Sequence, residues 1–294
     1  MKNKFLRPLA AAIGLACAGC VAPMLAPSLA PVLVQNVDMN KVMKSVDSAR
    51  DMVSDISDAQ EVVLGQGIAS NLLGVAPLLQ NQRVQRYVNS VGRWLTLQTD
   101  RPDLPWTFAV LDDGEINAFA APGGYIVITR GLLIRMKSEA ELAGVLAHEI
   151  SHVLKRHHLQ AIRKAAGASL ATDLLAFGAE KKGVSPELIK WANAGTELYT
   201  RGLDKDDELE ADRMGVVIAA RAGYDPYGLP AVLQALEAIN PGDPGLALLF
   251  RTHPTPATRL AALDTAMSPA FERFDKLPTV PSRFTASIAA VSRK

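Results

Sequence analysis

Apolar positions recur at helical spacing through residues 59–73 and again through 83–97, the period of amphipathic helices. The pattern then changes. Residues 106–111 alternate, and residues 116–120 and 125–129 are short β-prone runs. Pro122, Gly123 and Gly124 stand between the last two, a turn signal that predicts a β-hairpin. From Gly131 to about Met267 nearly every window reads as helix. Beyond Phe271 the pattern thins among prolines and serines, so residues 271–294 are expected to form a loose C-terminal tail. No solenoid-type repeat interrupts this order. Helices, a small sheet and then many helices make an α+β class, mainly helical.

The first residues follow another rule. Lys2, Lys4 and Arg7 precede a short uncharged apolar run from Pro8 to Gly19. That run is about half the length a spanning helix needs and reads as a signal peptide, residues 1–19. Cys17-Ala18-Gly19-Cys20 then offers Cys20 for lipidation. Cys17 stands where leucine is commoner, and ordinary cleavage among the following Ala-Pro repeats is the rival reading. The Cys-x-x-Cys spacing is not read as a redox pair, because it lies inside the leader. Residues 20–57 then form a proline-rich tether, too rich in proline for helix at its start. A polar stretch with spaced Val and Met at 37–56 is expected to be a linker helix, with a partner-docking arm as the sharper alternative.

Composition narrows the classes. The 294 residues are 49% hydrophobic and 21% charged, an ordinary globular balance that excludes a disordered or collagenous chain. A formal net charge of +1 gives no basic excess for nucleic acid. Loss of the leader removes three of the positive charges, so membrane contact is expected through lipid only. The only cysteines are Cys17 and Cys20, which excludes a disulfide scaffold.

The chemistry centres on His148-Glu149-Ile150-Ser151-His152, an HExxH motif. Ser138 and Glu141 predict a capping box that opens its helix. Leu142, Val145, Leu146, Val153 and Leu154 supply an apolar stripe. Residues four apart stack on one helical face, about 5–6 Å apart at Cβ. Two imidazoles there converge on one zinc, and the adjacent Glu149 reaches a water without binding the ion. An open zinc site needs a third protein ligand. Residues 206–212, Asp-Asp-Glu-Leu-Glu-Ala-Asp, are the best source. Glu208 and Asp212 share a face there, and Ala211, Gly215 and Ala219 are small enough for close helix approach. The plainer alternative is a solvated acidic helix start.

Further short motifs accompany these: Glu61-Val-Val-Leu-Gly65, Asn117-Ala118-Phe119-Ala120 before Pro122-Gly123-Gly124, Gly131-Leu132-Leu133, Glu208-Leu-Glu-Ala-Asp212, and Thr252-His253-Pro254 with Arg259. Together with HExxH, and in this order, they resemble the zinc metallopeptidases of the HtpX, BepA and LoiP type, relatives of the prenyl-protein protease. The likeness runs over roughly residues 59–267. It implies a zincin-type domain at residues 58–270, with the hairpin beside the HExxH helix and one zinc per chain. His148, His152 and Glu208 would be ligands, Glu149 the general base, and Asp212 would orient an imidazole. Asn117, Ala118, Phe119 and Ala120 would hold an extended substrate by main-chain hydrogen bonds. His253 would lie near zinc and plug its open position, or merely begin a helix. Arg259 would stabilise an oxyanion, or pair with an acidic neighbour. His157 and His158 match no motif and are expected to be exposed at the helix end. The chain departs from members with spanning helices or a helical-repeat extension, and is expected to stand closer to the compact lipoprotein members.

The expected activity is zinc-dependent endopeptidase action on misfolded or unassembled envelope proteins in the periplasm, from a lipid anchor on the outer membrane. Val21 after Cys20, rather than Asp, suits that sorting. The competing expectation is a self-plugged chaperone or assembly factor for outer-membrane proteins, its cleft covered by residues 160–201. A structural zinc protein is disfavoured, since such a site needs no Glu149.

Overall fold

A computed structural model gives the architecture and describes residues 56–162, 164, 202–240 and 243–291. The leader, Cys20, the tether and residues 37–55 lie outside the described residues, as does nearly all of 163–201. The described residues fall within one unit, Ser48–Lys294.

Helix α1, Asp58–Val75, opens with a full capping box between Ser57 and Gln60. Helix α2, Gln82–Thr96, is capped by the Asn81 side chain and buries Val84, Val88, Val91 and Leu95, the helical spacing the sequence shows. Three strands follow: β1 Thr107–Leu111, β2 Ala118–Ala121 and β3 Tyr125–Thr129. Their order is β1-β3-β2, with β1 parallel and β2 antiparallel to the central β3. The predicted hairpin is therefore β2–β3, turned by Gly123 at φ 76° and Gly124 at φ 97°, values that favour glycine. The strand expected over 116–120 starts at Ala118 instead. The Asn117 side chain accepts from the Ala118 N–H, and the Asn117 N–H is bonded to Thr129 Oγ1.

Along β1, side-chain amides of α2 meet strand backbone. Gln85 donates to Val110 O and accepts from Val110 N, and Asn89 accepts from Phe108 N. An edge that would invite another strand is covered this way.

The helical half begins with α3, Arg130–Leu133, and α4, Glu139–Leu154. Then come α5, Lys205–Arg221, and α6, Gly228–Glu237. Next are a 3₁₀ turn at Pro244–Leu246, α7 Ala247–Thr252, α8 Pro256–Met267, a second 3₁₀ turn at Glu272–Phe274, and α9 Pro281–Ile288. The class is the expected α+β. Helix α4 carries more than an apolar stripe, for every residue from Glu139 to Val153 is buried. It is enclosed by α2, α5, α6, α9, β2 and β3.

The expectation of a loose tail is corrected. Helix α9 buries Phe284 and Ile288 in the main core. Arg283 Nε donates to Glu139 Oε2 at 2.6 Å, and its Nη2 bonds the other oxygen. Glu139 also accepts from Tyr87 and Tyr224 hydroxyls, each at 2.8 Å. Two apolar residues one turn apart and a distant carboxylate suffice to dock a segment too short for periodicity to reveal.

One carboxylate ties the two halves together. Glu61, buried on α1, accepts from the Gly123 N–H at 3.0 Å in the hairpin turn. It also pairs with Arg101 at 2.9 Å and with Arg156 Nε at 3.1 Å, just past α4. Gly65, one turn on, faces the same turn so closely that a Cβ would stand 1.7 Å from Pro122 O. The Glu61–Gly65 motif is thus a contact between helix and hairpin. Among the described residues no helix is long and apolar enough to cross a membrane.

Candidate metal centre

Helix α4 starts on Ser138, whose hydroxyl accepts from the Glu141 N–H at 3.2 Å. The reciprocal half of the predicted box is displaced by one residue, because the Glu141 carboxylate accepts from Lys137 N–H rather than Ser138 N–H. Nearly three turns on, His148 and His152 share a face. Helix α5 lies across them with no bulky residue between. Ala211 and Ala219 are fully buried, and a Cβ on Gly215 would stand only 3.0 Å from the His148 backbone nitrogen. This close approach delivers Glu208 to the two imidazoles.

The donor atoms converge. His148 Nε2 and His152 Nε2 are 3.1 Å apart, and each lies 3.6 Å from a Glu208 oxygen. Tetrahedral ligands at zinc distances of about 2.0–2.1 Å stand about 3.3–3.4 Å from one another, so one ion fits among these three. Glu208 Oε2 is buried without a hydrogen-bond partner among the described residues, a cost that a cation removes. The donor set, two imidazoles and a carboxylate with room for a fourth ligand, suits a catalytic zinc. Glu210, the neighbouring acid, faces away toward Lys155 at 2.7 Å.

Asp212 Oδ1 is 2.9 Å from His148 Nδ1, which fixes a proton on that nitrogen and leaves Nε2 bare for an ion. Arg259 grips Asp212 with both Nε, at 2.9 Å, and Nη2, at 2.5 Å. Of the two expectations for Arg259, the geometry displays the pairing. Arg259 Nη2 also lies 3.2 Å from His148 Nδ1. With that nitrogen donating to Asp212, the approach is a contact between donors.

Electrostatics mark the same pocket. Burial pushes the Asp212 carboxyl up, but Arg259 and His148 outweigh it and hold the group well below its usual value. Burial likewise acts against Glu208, and His253, His148 and Arg259 bring it down to about 2. Burial, followed by the His148 charge, drives His152 well below its usual value. Burial and Arg259 disfavour a charged His148, yet Asp212 and Glu208 raise it to about 9. The ionised Glu208 carboxylate thus favours a cation beside the two Nε2 atoms, where a metal competes with a proton. Glu149 is different. Burial, reinforced by Glu208 and Asp212 against His148 and Arg259, pushes its carboxyl up to about 7, the range of a working general base.

Glu149 borders two cavities. One is lined by Ala118, Phe119, His152, His158 and His253. The other is apolar, lined by Leu132, Val145, Leu229, Val232 and Leu233. β2 is the outer strand of the described sheet and brings Ala118 and Phe119 to the first cavity. Asn117 turns its side chain into its own backbone instead, and Ala120 is buried.

His253, the C-cap of α7, reaches the metal pocket. Its Nε2 lies 3.6 Å from Glu208 Oε2, and its ring centroid is 5.9 Å from that of His148. Thr252 Oγ1 lies 2.9 Å from its Nδ1 and spends its own proton on Leu248 O, also at 2.9 Å. His253 Nδ1 therefore donates, and Nε2 presents a lone pair to the pocket.

The expectation for His157 and His158 is corrected. His157 is buried and His158 half-buried. The chain leaves α4 through Arg156 at φ 57°, a left-handed elbow that folds helical residues 157–162 back toward the site. His157 Nδ1 lies 3.0 Å from His152 Nδ1. Straight-helix spacing places residue 157 away from 152, so periodicity gave no signal for this contact.

The comparisons agree with the geometry. The model of peptidase family M48 matches residues 79–267, a span that holds both histidines, Glu149, Glu208, Asp212, His253 and Arg259. The chain is 34% identical over 217 residues to the beta-barrel assembly-enhancing protease of Escherichia coli (strain K12), covering 71% of this chain and 44% of the relative. It is 32% identical over 216 residues to a putative beta-barrel assembly-enhancing protease of Vibrio cholerae, covering 70% and 44%. It is also 34% identical over 191 residues to the mitochondrial metalloendopeptidase OMA1 of Arabidopsis thaliana, covering 64% and 37%. The chain thus spans less than half the length of these relatives. Its donor set and the matched span lead to one conclusion: the chain belongs to peptidase family M48, and its candidate metal site lies on α4 and α5.

Proposed function

We propose that this chain is a zinc-dependent endopeptidase acting on misfolded or unassembled envelope proteins in the periplasm, held at the outer membrane by a lipid on Cys20. One observation carries the chemical part: His148, His152 and Glu208 bring ligand atoms within 4.8 Å of one another, with the buried Glu149 beside them. His148, His152 and Glu208 hold the zinc. When bound, it supplies a Lewis acid that polarises the scissile carbonyl and lowers the pKa of a water. Glu149 takes a proton from the attacking water and delivers it to the leaving amine. Asp212 keeps the His148 proton on Nδ1, and Arg259 balances the Asp212 charge. The substrate backbone runs along β2 at Ala118, Phe119 and Ala120, after Asn117, and backbone pairing there accepts many sequences. An apolar side chain next to the scissile bond enters the cavity lined by Val145 and Leu229. The biological setting draws on the names of the relatives, which speak of β-barrel assembly, and on the N-terminal leader.

The purified chain tests this with casein as an unfolded substrate. Cleavage abolished by a chelator is expected, with Glu149→Gln retaining zinc and losing about 10²–10⁴-fold in rate. An unchanged rate in Glu149→Gln removes Glu149 from the mechanism.

His253 favours a second reading of the same site, that it is plugged at rest. Its bare Nε2 faces the pocket, and burial brings its pKa down to about 4, so the ring is neutral and able to ligate. His253→Ala is then expected to cleave casein faster than the parent chain. A slower variant assigns His253 to catalysis instead. The chaperone alternative predicts that Glu149→Gln still protects unfolded outer-membrane proteins from aggregation.

A further inference from the structure

We propose that His157 is a positioning residue for His152: it accepts the His152 Nδ1 proton and thereby commits Nε2 of His152 to the metal. The inference rests on reading His148, His152 and Glu208 as metal ligands, and adds a residue to that site.

The two rings meet almost edge to face, with centroids 5.2 Å apart and planes at 72°. Their Nδ1 atoms are 3.0 Å apart, which is hydrogen-bond distance. Such a contact needs a single proton between the two nitrogens, for two bare nitrogens repel and two N–H groups clash. The far side of His157 decides which ring supplies it. His157 Nε2 faces Glu210 Oε2 at 3.4 Å and Asp207 Oδ1 at 3.8 Å, both on α5. The Glu210 contact is within hydrogen-bond reach and carboxylates only accept, so in the neutral ring Nε2 of His157 carries the proton and Nδ1 is left as an acceptor. The proton in the contact is then that of His152 Nδ1. Nothing remains on His152 Nε2 but a lone pair, and that atom is the one aimed at His148 and Glu208.

The plain alternative is that His157 is a core histidine whose contact with His152 is incidental. Its burial alone fits either view. The difference lies in what the position requires. Packing requires volume, whereas positioning requires an acceptor at Nδ1.

The test uses the full chain with two substitutions. His157→Leu keeps volume without an acceptor, while His157→Gln keeps an amide oxygen able to accept and an amide N–H₂ able to reach Glu210. Zinc affinity is read by competition with a chromogenic chelator, and the Co²⁺-substituted visible spectrum reports ligand geometry. A loss of about 10- to 100-fold in zinc affinity is expected for His157→Leu, with an altered Co²⁺ spectrum. His157→Gln should regain most of the affinity and the parent spectrum. Parent-like zinc binding in His157→Leu overturns the proposal, and so does an equal loss in both variants. If His157→Leu does not fold, His157→Ala with added imidazole replaces it. Zinc binding restored by imidazole supports the proposal, and zinc binding that imidazole leaves unchanged overturns it. Failure of the parent chain to bind zinc overturns the metal reading itself, which separates the two failures.

Discussion

The two histidines of one motif, one helical turn apart, are supported by opposite means. Behind His148 stand Asp212 and Arg259, both buried, a charged pair sealed between α4, α5 and α8. Behind His152 stands another imidazole, His157, and beyond it Glu210, which leads out to Lys155 at the surface. Glu210 and Lys155 side chains are 41% and 44% exposed, so water screens that end. The repeat in sequence therefore hides an asymmetry in physics. One imidazole leans on an ion pair that cannot be half removed, and the other on a relay whose outer end is open to water.

The strongest way to break the comparison is Asp212→Ala. It frees the His148 ring and leaves Arg259 buried without its counter-charge, so a loss of about 3–5 kcal/mol is expected. Chemical denaturation measures it. Adding Arg259→Leu to that variant should recover part of the loss, since the orphaned charge goes too. A double variant as unstable as the sum of its parents denies the coupling.

A smaller effect comes from a pair at the other end of α4, distant from the candidate metal site. Burial acts to raise the Glu139 carboxyl, but hydrogen bonds from Arg283, Tyr224 and Tyr87 leave it below its usual value. A carboxyl with a lowered folded pKa contributes stability above its unfolded value of about 4.3 and loses it as pH falls through the folded value. Glu139→Gln should therefore cost about 1.5–3 kcal/mol at neutral pH. The gap to the parent should close in acid. A gap that stays constant with pH denies the ionised role. The smallest effect is at the exposed end of the relay, where Glu210→Ala should cost less than about 1 kcal/mol. A loss as large as that of Asp212→Ala would erase the contrast between the two histidines.

These contrasts also show what a reading of sequence reaches. The HExxH helix, the hairpin and the close approach of α5 at Gly215 were legible, because each rests on neighbours a few residues apart or on a small side chain where bulk is impossible. The docking of α9 was not, since Phe284 and Ile288 are too few to make a period and Arg283 finds Glu139 only through the fold. His157 was misread for a sharper reason. Its contact with His152 depends on a left-handed backbone at Arg156, and arginine gives no conformational signal of the kind glycine gives at Gly123.

The Glu61 carboxylate has a mechanical meaning. It is bonded to the hairpin turn at Gly123 and to Arg156, the residue immediately before His157. The hairpin turn and the elbow that precedes His157 are thus held by the same carboxylate, carried on α1. Two segments far apart in sequence share one anchor, so removal of the Glu61 carboxylate would release both at once.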